Sequence, residues 1–420
     1  MTATGLRRHA DFKRLWAAQA VSAFGSRITR TALPIIAVST LDQPDSIVGI
    51  LMAMQLAPGV VLAMFAGGFV DRGDKRKILI GADLIRAGVV ASLTIAWALG
   101  VLSMAHLIVC GALVGAASAL FQITDNTYLP VLIGKDQLAE GNAKLESTEA
   151  IAEITGPASA GLLIAAIGAP LAVVIDAFSY VWSAMWLGRI ETRAEPAVPV
   201  EGKPARGPLR GEDLRVGLRA VFGHPYVRWI VISHMVWSIC GGFFISLYTP
   251  FCLRELALSK SIFGIIIAMG GVGSLAGALM SRWLVATIGL GRTLVIASAL
   301  SLTCAVFIPL ASGSIAVVVA FLVLHQLLSD GFAVAFIIQA VTLRQTVLPK
   351  DMLGRANAAI HVCTASLLPI SAIVAGFLAE AIGIRNAVWV GVAIGFVPPL
   401  LLLPLWKLRA LPTETAPGSA

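Results

Sequence analysis

The chain is a series of long apolar runs separated by short polar ones. The runs fall near 15–41, 47–70, 78–100, 105–133, 147–167, 171–189, 226–253, 261–285, 290–311, 314–347, 357–382 and 386–406. Each is about the length a helix needs to cross a bilayer, roughly 20 residues at 1.5 Å per residue. Glycines inside the runs and the lack of strict polar–apolar alternation speak against a β-barrel. The pattern predicts an all-α membrane protein with twelve transmembrane helices. Runs 47–70 and 78–100 are joined only by Asp71-Arg72-Gly73-Asp74-Lys75-Arg76-Lys77. Helices 2 and 3 are therefore an antiparallel pair, with their basic connector expected in the cytoplasm.

Composition agrees with this reading. Of 420 residues, 58% are hydrophobic and 13% charged, and the mean hydropathy is +0.88. A soluble domain does not need that much apolar sequence. The net charge of +8 would suit a nucleic-acid partner, but its distribution points elsewhere. With the N-terminus inside, Lys and Arg collect at residues 7–14, 72–77, 189–228, 350–355 and 407–409. The opposite loops carry Arg254, Lys260 and Arg385. That asymmetry is the positive-inside rule. No nucleic acid is expected, and both termini are assigned to the cytoplasmic side of an inner or plasma membrane. The first apolar run is too long for a cleavable signal and lacks a cleavage site. Cys110, Cys240, Cys252, Cys304 and Cys363 are isolated in sequence, so neither a disulfide framework nor a metal site is indicated. No P-loop, HExxH or GxSxG motif occurs, so no cofactor and no enzymatic activity are expected.

The chain also repeats itself. A shift of 215 residues sets Lys135-Asp136-x-Leu138-x-x-x-Asn142-Ala143 on Lys350-Asp351-x-Leu353-x-x-x-Asn357-Ala358. The same shift sets Ala160-Gly161-x-Leu163 on Ala375-Gly376-x-Leu378. The expected organisation is two pseudo-symmetric six-helix halves, 1–190 and 226–410. A Pro-, Gly- and charge-rich cytoplasmic linker, 191–225, separates them, and a cytoplasmic tail, 411–420, follows. Within the linker, Gly211–Phe222 is expected to lie along the membrane as an amphipathic helix. Parallel halves of this kind are a transporter architecture.

Ionisable groups inside apolar spans cost a few kcal/mol each on insertion scales, which makes them functional candidates. Gln19, Ser22, Ser26, Thr29 and Arg30 share one face of helix 1, with Arg27 at its edge. Arg30 is a candidate for binding an anionic group, or else part of a buried ion pair. Asn142, Glu146, Glu149 and Glu153 share a face of helix 5, and Gly156-Pro157-x-x-x-Gly161 follows as a bend or close-packing stripe. Asp125, Glu153 and Asp330 are the candidates for proton coupling, because each is set in a span without an obvious partner in sequence. For Glu153 a structural ion pair is the alternative. Gln19, Ser26, Arg30, Tyr128, Phe244, Tyr248 and Phe336 are candidates for a substrate cavity. Aromatic residues of this kind are more often interfacial anchors or ordinary packing.

Gly67-x-x-x-Asp71-Arg72-x-x-Lys75-Arg76 resembles the signature loop of the major facilitator superfamily. Four stretches resemble its macrolide-efflux and enterobactin-exporter branch of drug:proton antiporters. They are Phe12-Lys13-Arg14-Leu15-Trp16 with Ser22-x-x-Gly25-Ser26; the Asp71 loop; Leu129-Pro130 through Asn142-x-x-Leu145-Glu146 to Gly156-Pro157; and Leu343-Arg344-Gln345 with Gly354-Arg355-x-Asn357-Ala358. The resemblance implies a monomeric secondary transporter that rocks its halves around a central cavity. It would export an amphipathic small molecule (a drug, a macrolide-like compound or a siderophore) against proton influx. It also implies a conformational latch at Gly67, Asp71, Arg72, Lys75 and Arg76, with Asp83 and Arg86 in reach; simple capping and topology are the alternative. This chain departs from the branch in three places. Ser26 stands where many relatives carry Asp, Asp74 replaces a glycine, and Leu107–Gly111 lacks the helix 4 arginine used for coupling. An uncoupled or uptake carrier, or a non-transporting membrane relative, therefore stays open.

Overall fold

The computed structural model describes residue 6 and residues 9–134, 137–191, 211–349 and 352–409. Within its helices, the side chains of Ala63, Met64, Gly67, Gly68, Asp71, Ala139, Gly211 and Asp213 lie outside the description. Most of the expected linker and the whole expected tail also fall outside it.

Among the described residues there are helices and turns and no strand. The first six spans are α1 (Ala10–Ile35), α2 (Asp45–Arg72), α3 (Lys75–Ala98), α4 (Met104–Ile133), α5 (Leu138–Ile167) and α6 (Ala169–Gly188). A short helix α7 (Gly211–Gly223) precedes the second set. That set opens with α8 (Val227–Pro250) and α9 (Lys260–Ile288). The next span is α10 (Leu290–Thr303) continued by α11 (Phe307–Leu310), followed by α12 (Ile315–Val347). The last two spans are interrupted: α13 (Leu353–Ala365) with α14 (Leu367–Ile382), and α15 (Ile384–Gly395) with α16 (Val397–Leu401). Among the described residues, eleven helical stretches are long and apolar enough to cross a membrane. The twelfth is the 26-residue α1, whose hydropathy is lowered by Asp11, Lys13, Arg14, Arg27 and Arg30. Several helices begin earlier than their apolar runs, α5 at Leu138 and α13 at Leu353. Their polar first turns continue the helix beyond the apolar part. The protein is an all-α, twelve-helix membrane protein.

Local chemistry sets the helix ends. Asp74 caps α3 by accepting from Lys77 N at 3.2 Å. A carboxylate there satisfies a free amide and faces the positive helix end. Gly168 (φ 84°) and Gly383 (φ 87°) end α5 and α14 in a backbone conformation that disfavours other residues.

The chain forms two compact units. The first comprises Met1–Gln43, Ile50–Leu209 and Ser259–Ile265; the second comprises Pro44–Gly49, Arg210–Leu258 and Ile266–Ala420. In the first unit α1 packs on α5 and α6, and α3 on α4 and α6. In the second, α8 packs on α14 and α15, and α10 on α12. The 215-residue repeat extends to backbone detail. The π-helical turn Ile36–Thr40 recurs as Phe251–Glu255. Asp42 (φ 46°) recurs as Ala257 (φ 50°), the two non-glycine residues with positive φ among those described.

Each unit holds the first turn of a helix that continues in the other. In the first unit, a Cβ on Gly161 would stand 2.7 Å from Gly264 Cα and 2.9 Å from the Lys260 carbonyl oxygen. In the second, a Cβ on Gly376 would stand 2.6 Å from the Asp45 carbonyl oxygen and 2.9 Å from Ser46 Cα. Only glycine permits these approaches. The second unit adds a polar clasp. Glu380 accepts from Ser46 N at 3.1 Å and from Ser46 Oγ at 2.6 Å, capping α2. Arg254 pairs with Asp45 at 3.2 Å.

Helix α7 forms where it is expected and also packs on the protein. Its residue Gly217 meets α13, where a Cβ would stand 3.1 Å from Ala359 Cβ. Val221 is buried with Val227, Val231, Ala356 and Ile360. Part of its apolar face is thus spent on protein, while Leu214, Val216 and Leu218 stay half-buried.

Candidate transport site

Helices α1, α4 and α5 of the first unit enclose a cavity of about 390 Å³. That is within the range of small-molecule sites, about 300–1,000 Å³. Its wall includes Gln19, Phe121, Asp125, Asn142, Glu146 and Glu149. Gln19 Nε2 donates to Asp125 Oδ1 at 2.6 Å. The helical spacing read from the sequence is what brings these groups together: Gln19 lies on the polar face of α1, and Asn142, Glu146 and Glu149 follow one another along α5.

The ion pairs between α1 and α5 are made by Arg27, not by Arg30. Arg27 is buried at 4% exposure and holds both Glu149 and Glu153. Gly156 makes room for it, since a Cβ there would stand 2.7 Å from Arg27 Cβ and Cγ. Glu153 therefore has a partner that only the fold reveals. Glu149 both lines the cavity and touches Arg27, a link to which its place on the α5 face was the only clue. Arg30 is exposed, and Ser26 turns back to donate to the Ala23 carbonyl at 3.0 Å.

The loop residues divide. Gly67 and Asp71 are helical, and their side chains lie outside the described residues. Arg72 is exposed and Lys75 buried. Arg76 Nε donates to the Leu187 carbonyl at 2.9 Å and Nη2 to that of Gly188, so it caps the negative end of α6. Asp83 and Arg86 pair with each other, about 12 and 17 Å along α3 from Lys75 at 1.5 Å per residue.

Two aromatic candidates are packing residues here. Tyr128 is fully buried among Leu6, Phe12, Leu15 and Leu132. Phe336 is 1% exposed and stacks on Trp237 with ring centroids 5.1 Å apart. Their large apolar bodies fill cores, leaving no face for a solute. Phe244 and Tyr248 flank His325 at 6.4 and 6.3 Å, and His325 Nδ1 lies 3.1 Å from the Cys304 carbonyl. Asp330 is half-buried, close beside Gly270. Pro157 is buried in α5, its carbonyl 2.7 Å from where a Cβ on Gly264 would stand. Among the described residues no group of three or more His, Cys, Asp or Glu is placed to hold a metal.

The family model described as Major Facilitator Superfamily matches residues 15–368. The chain belongs to this superfamily. It is a multi-pass membrane protein of a transporter superfamily, not an enzyme. Over 152 residues it is 30% identical to macrolide efflux protein A of Streptococcus pyogenes. That match spans 36% of this chain and 37% of the relative. Among solved structures, a bacterial homologue of the iron transporter ferroportin, in its inward-facing state, superposes with TM-score 0.75 at 17% identity. It covers 96% of this chain and 100% of its own. The nucleoside transporter NupG also gives 0.75, at 13% identity, over 94% of this chain and 99% of its own. These two likenesses concern the fold.

Proposed function

We propose that the protein exports an amphipathic small molecule, such as a drug, a macrolide-like compound or a siderophore, across the plasma membrane by alternating access in exchange for protons. Asp125 carries the reading: a cavity carboxylate whose hydrogen-bond partner is the neutral amide of Gln19. A carboxyl held by an amide can gain and lose a proton without breaking an ion pair, and its charge then changes beside the solute. Glu153, tied to Arg27, and Asp330 are second in line. The partial likeness to macrolide efflux protein A supports the outward direction. Gln19, Ser26 and Arg30 are proposed as polar contacts for the solute in the first unit, and Phe244 and Tyr248 as aromatic ones in the second. The Asp71 loop is proposed as the latch.

The test uses everted vesicles with a respiration-driven pH gradient and a panel of macrolides, dyes and siderophores. A substrate should dissipate the gradient with wild type and not with Asp125→Asn, and Asp71→Asn should slow transport. Unchanged dissipation by Asp125→Asn would remove Asp125 from the proton path. Solute movement without proton movement would make the protein an uncoupled carrier.

A further inference from the structure

Deep in the first unit, α1, α3, α4 and α6 enclose a polar nest that the transport reading does not use. Asp83 of α3 and Asp176 of α6 are both at 0% exposure, and Arg86 is at 6%. Arg86 Nη2 donates to Asp83 Oδ1. Its guanidinium lies 4.5 Å from the Phe121 ring centre and 4.3 Å from that of Tyr180, and Nη1 is 3.5 Å from Ser118 Oγ of α4. Asp176 Oδ1 accepts from Ser179 Oγ at 2.9 Å. Gly25 of α1 leaves it space, since a Cβ there would stand 2.6 Å away. Ser183 stands beside Asp83, and Thr29 beside Asp176. Even so, Asp83 Oδ2, Asp176 Oδ2, Arg86 Nε and both those hydroxyls make no hydrogen bond of good geometry.

The charges do not balance. Arg86 is the cation within electrostatic reach of both carboxyl groups; Arg30 of α1 is in reach of Tyr180. Two carboxylates and one guanidinium leave one negative charge uncompensated in a place closed to water. A buried charge without a partner is far costlier than a neutral carboxyl in the same place. One proton removes the excess.

We infer that Asp83, Asp176 and Arg86 form a proton-binding site, two carboxyl groups sharing one guanidinium and one proton. Arg86 holds the charge of Asp83, so the proton resides on Asp176, whose O–H can then donate to the Thr29 hydroxyl beside it. Phe121 is common to the nest and to the wall of the Asp125 cavity, so a single ring stands between them. The site follows from the burial and charge of the first unit and holds whichever solute is moved.

Infrared spectroscopy of the purified full-length protein tests this without any transport assay. Wild type at neutral pH should show one protonated-carboxyl C=O stretch that exchanges slowly in D₂O and shifts on labelling with [4-¹³C]aspartate. Asp176→Asn removes it. Asp83→Asn also removes it, because the remaining carboxylate then balances Arg86. Arg86→Met should add a second such signal. Absence of the slow, label-sensitive signal from wild type overturns the site, and this readout needs no variant to fold. Its survival in both Asn variants, while Asp125→Asn abolishes it, would assign the proton to the cavity and overturn the site equally.

Discussion

At the scale of single residues, the first unit turns on how few cations serve many acids. Arg27 holds Glu149 and Glu153 together, and Gly156 is the residue that lets it. Gly156→Val should push against Arg27 and cost about 1–3 kcal/mol, as overpacking of a tight core does. The check is a lowered unfolding midpoint together with slower transport; an unchanged midpoint would mean that Arg27 can relocate freely. The sequence makes the polar faces of α1 and α5 legible, because a 3.6-residue period projects from the residues alone. It cannot pair them. Arg27 lies at the edge of its face yet takes the ion pair, and of the groups around Asp176 only Ser179 and Tyr180 are close in sequence, while Thr29 comes from α1 and Arg86 from α3. Tyr128 and Phe336 look like cavity aromatics because burial in a core leaves no mark on an aromatic residue's own sequence.

At the scale of elements, the glycine stripes matter most. Gly161→Leu would drive a branched side chain into Gly264 and the Lys260 carbonyl, and should lower the unfolding midpoint more than Gly81→Leu. Gly81 meets nothing within 4 Å of where its Cβ would sit. Equal effects would show that helix propensity, not close approach, governs the stripe. Packing at Gly161 can be suspected from its spacing, but the partner cannot be named, because the first turn of α9 lies about a hundred residues away in sequence. Helix number was legible throughout, since each span is a long apolar run. The breaks at Ser366 and Phe396 were not, because apolar sequence continues through both. The docking of α7 on α13 was hidden for a related reason: an amphipathic face does not say whether lipid or protein covers it.

At the scale of the whole molecule, the charge asymmetry argues for both termini in the cytoplasm. A protease-cleavable tag placed after Ala420 should be cut in everted vesicles and protected in right-side-out ones, and the reverse pattern would invert the topology. Two units with matching π-turns and matching positive-φ residues indicate one ancestral half used twice. The shared first turns then have a practical consequence for recombining halves among relatives. A junction in the central linker would leave Pro44–Gly49 facing a foreign Gly376, and Ser259–Ile265 a foreign Gly161. Functional chimeras should be those in which each short segment travels with the unit that houses it, although it lies in the other half of the gene.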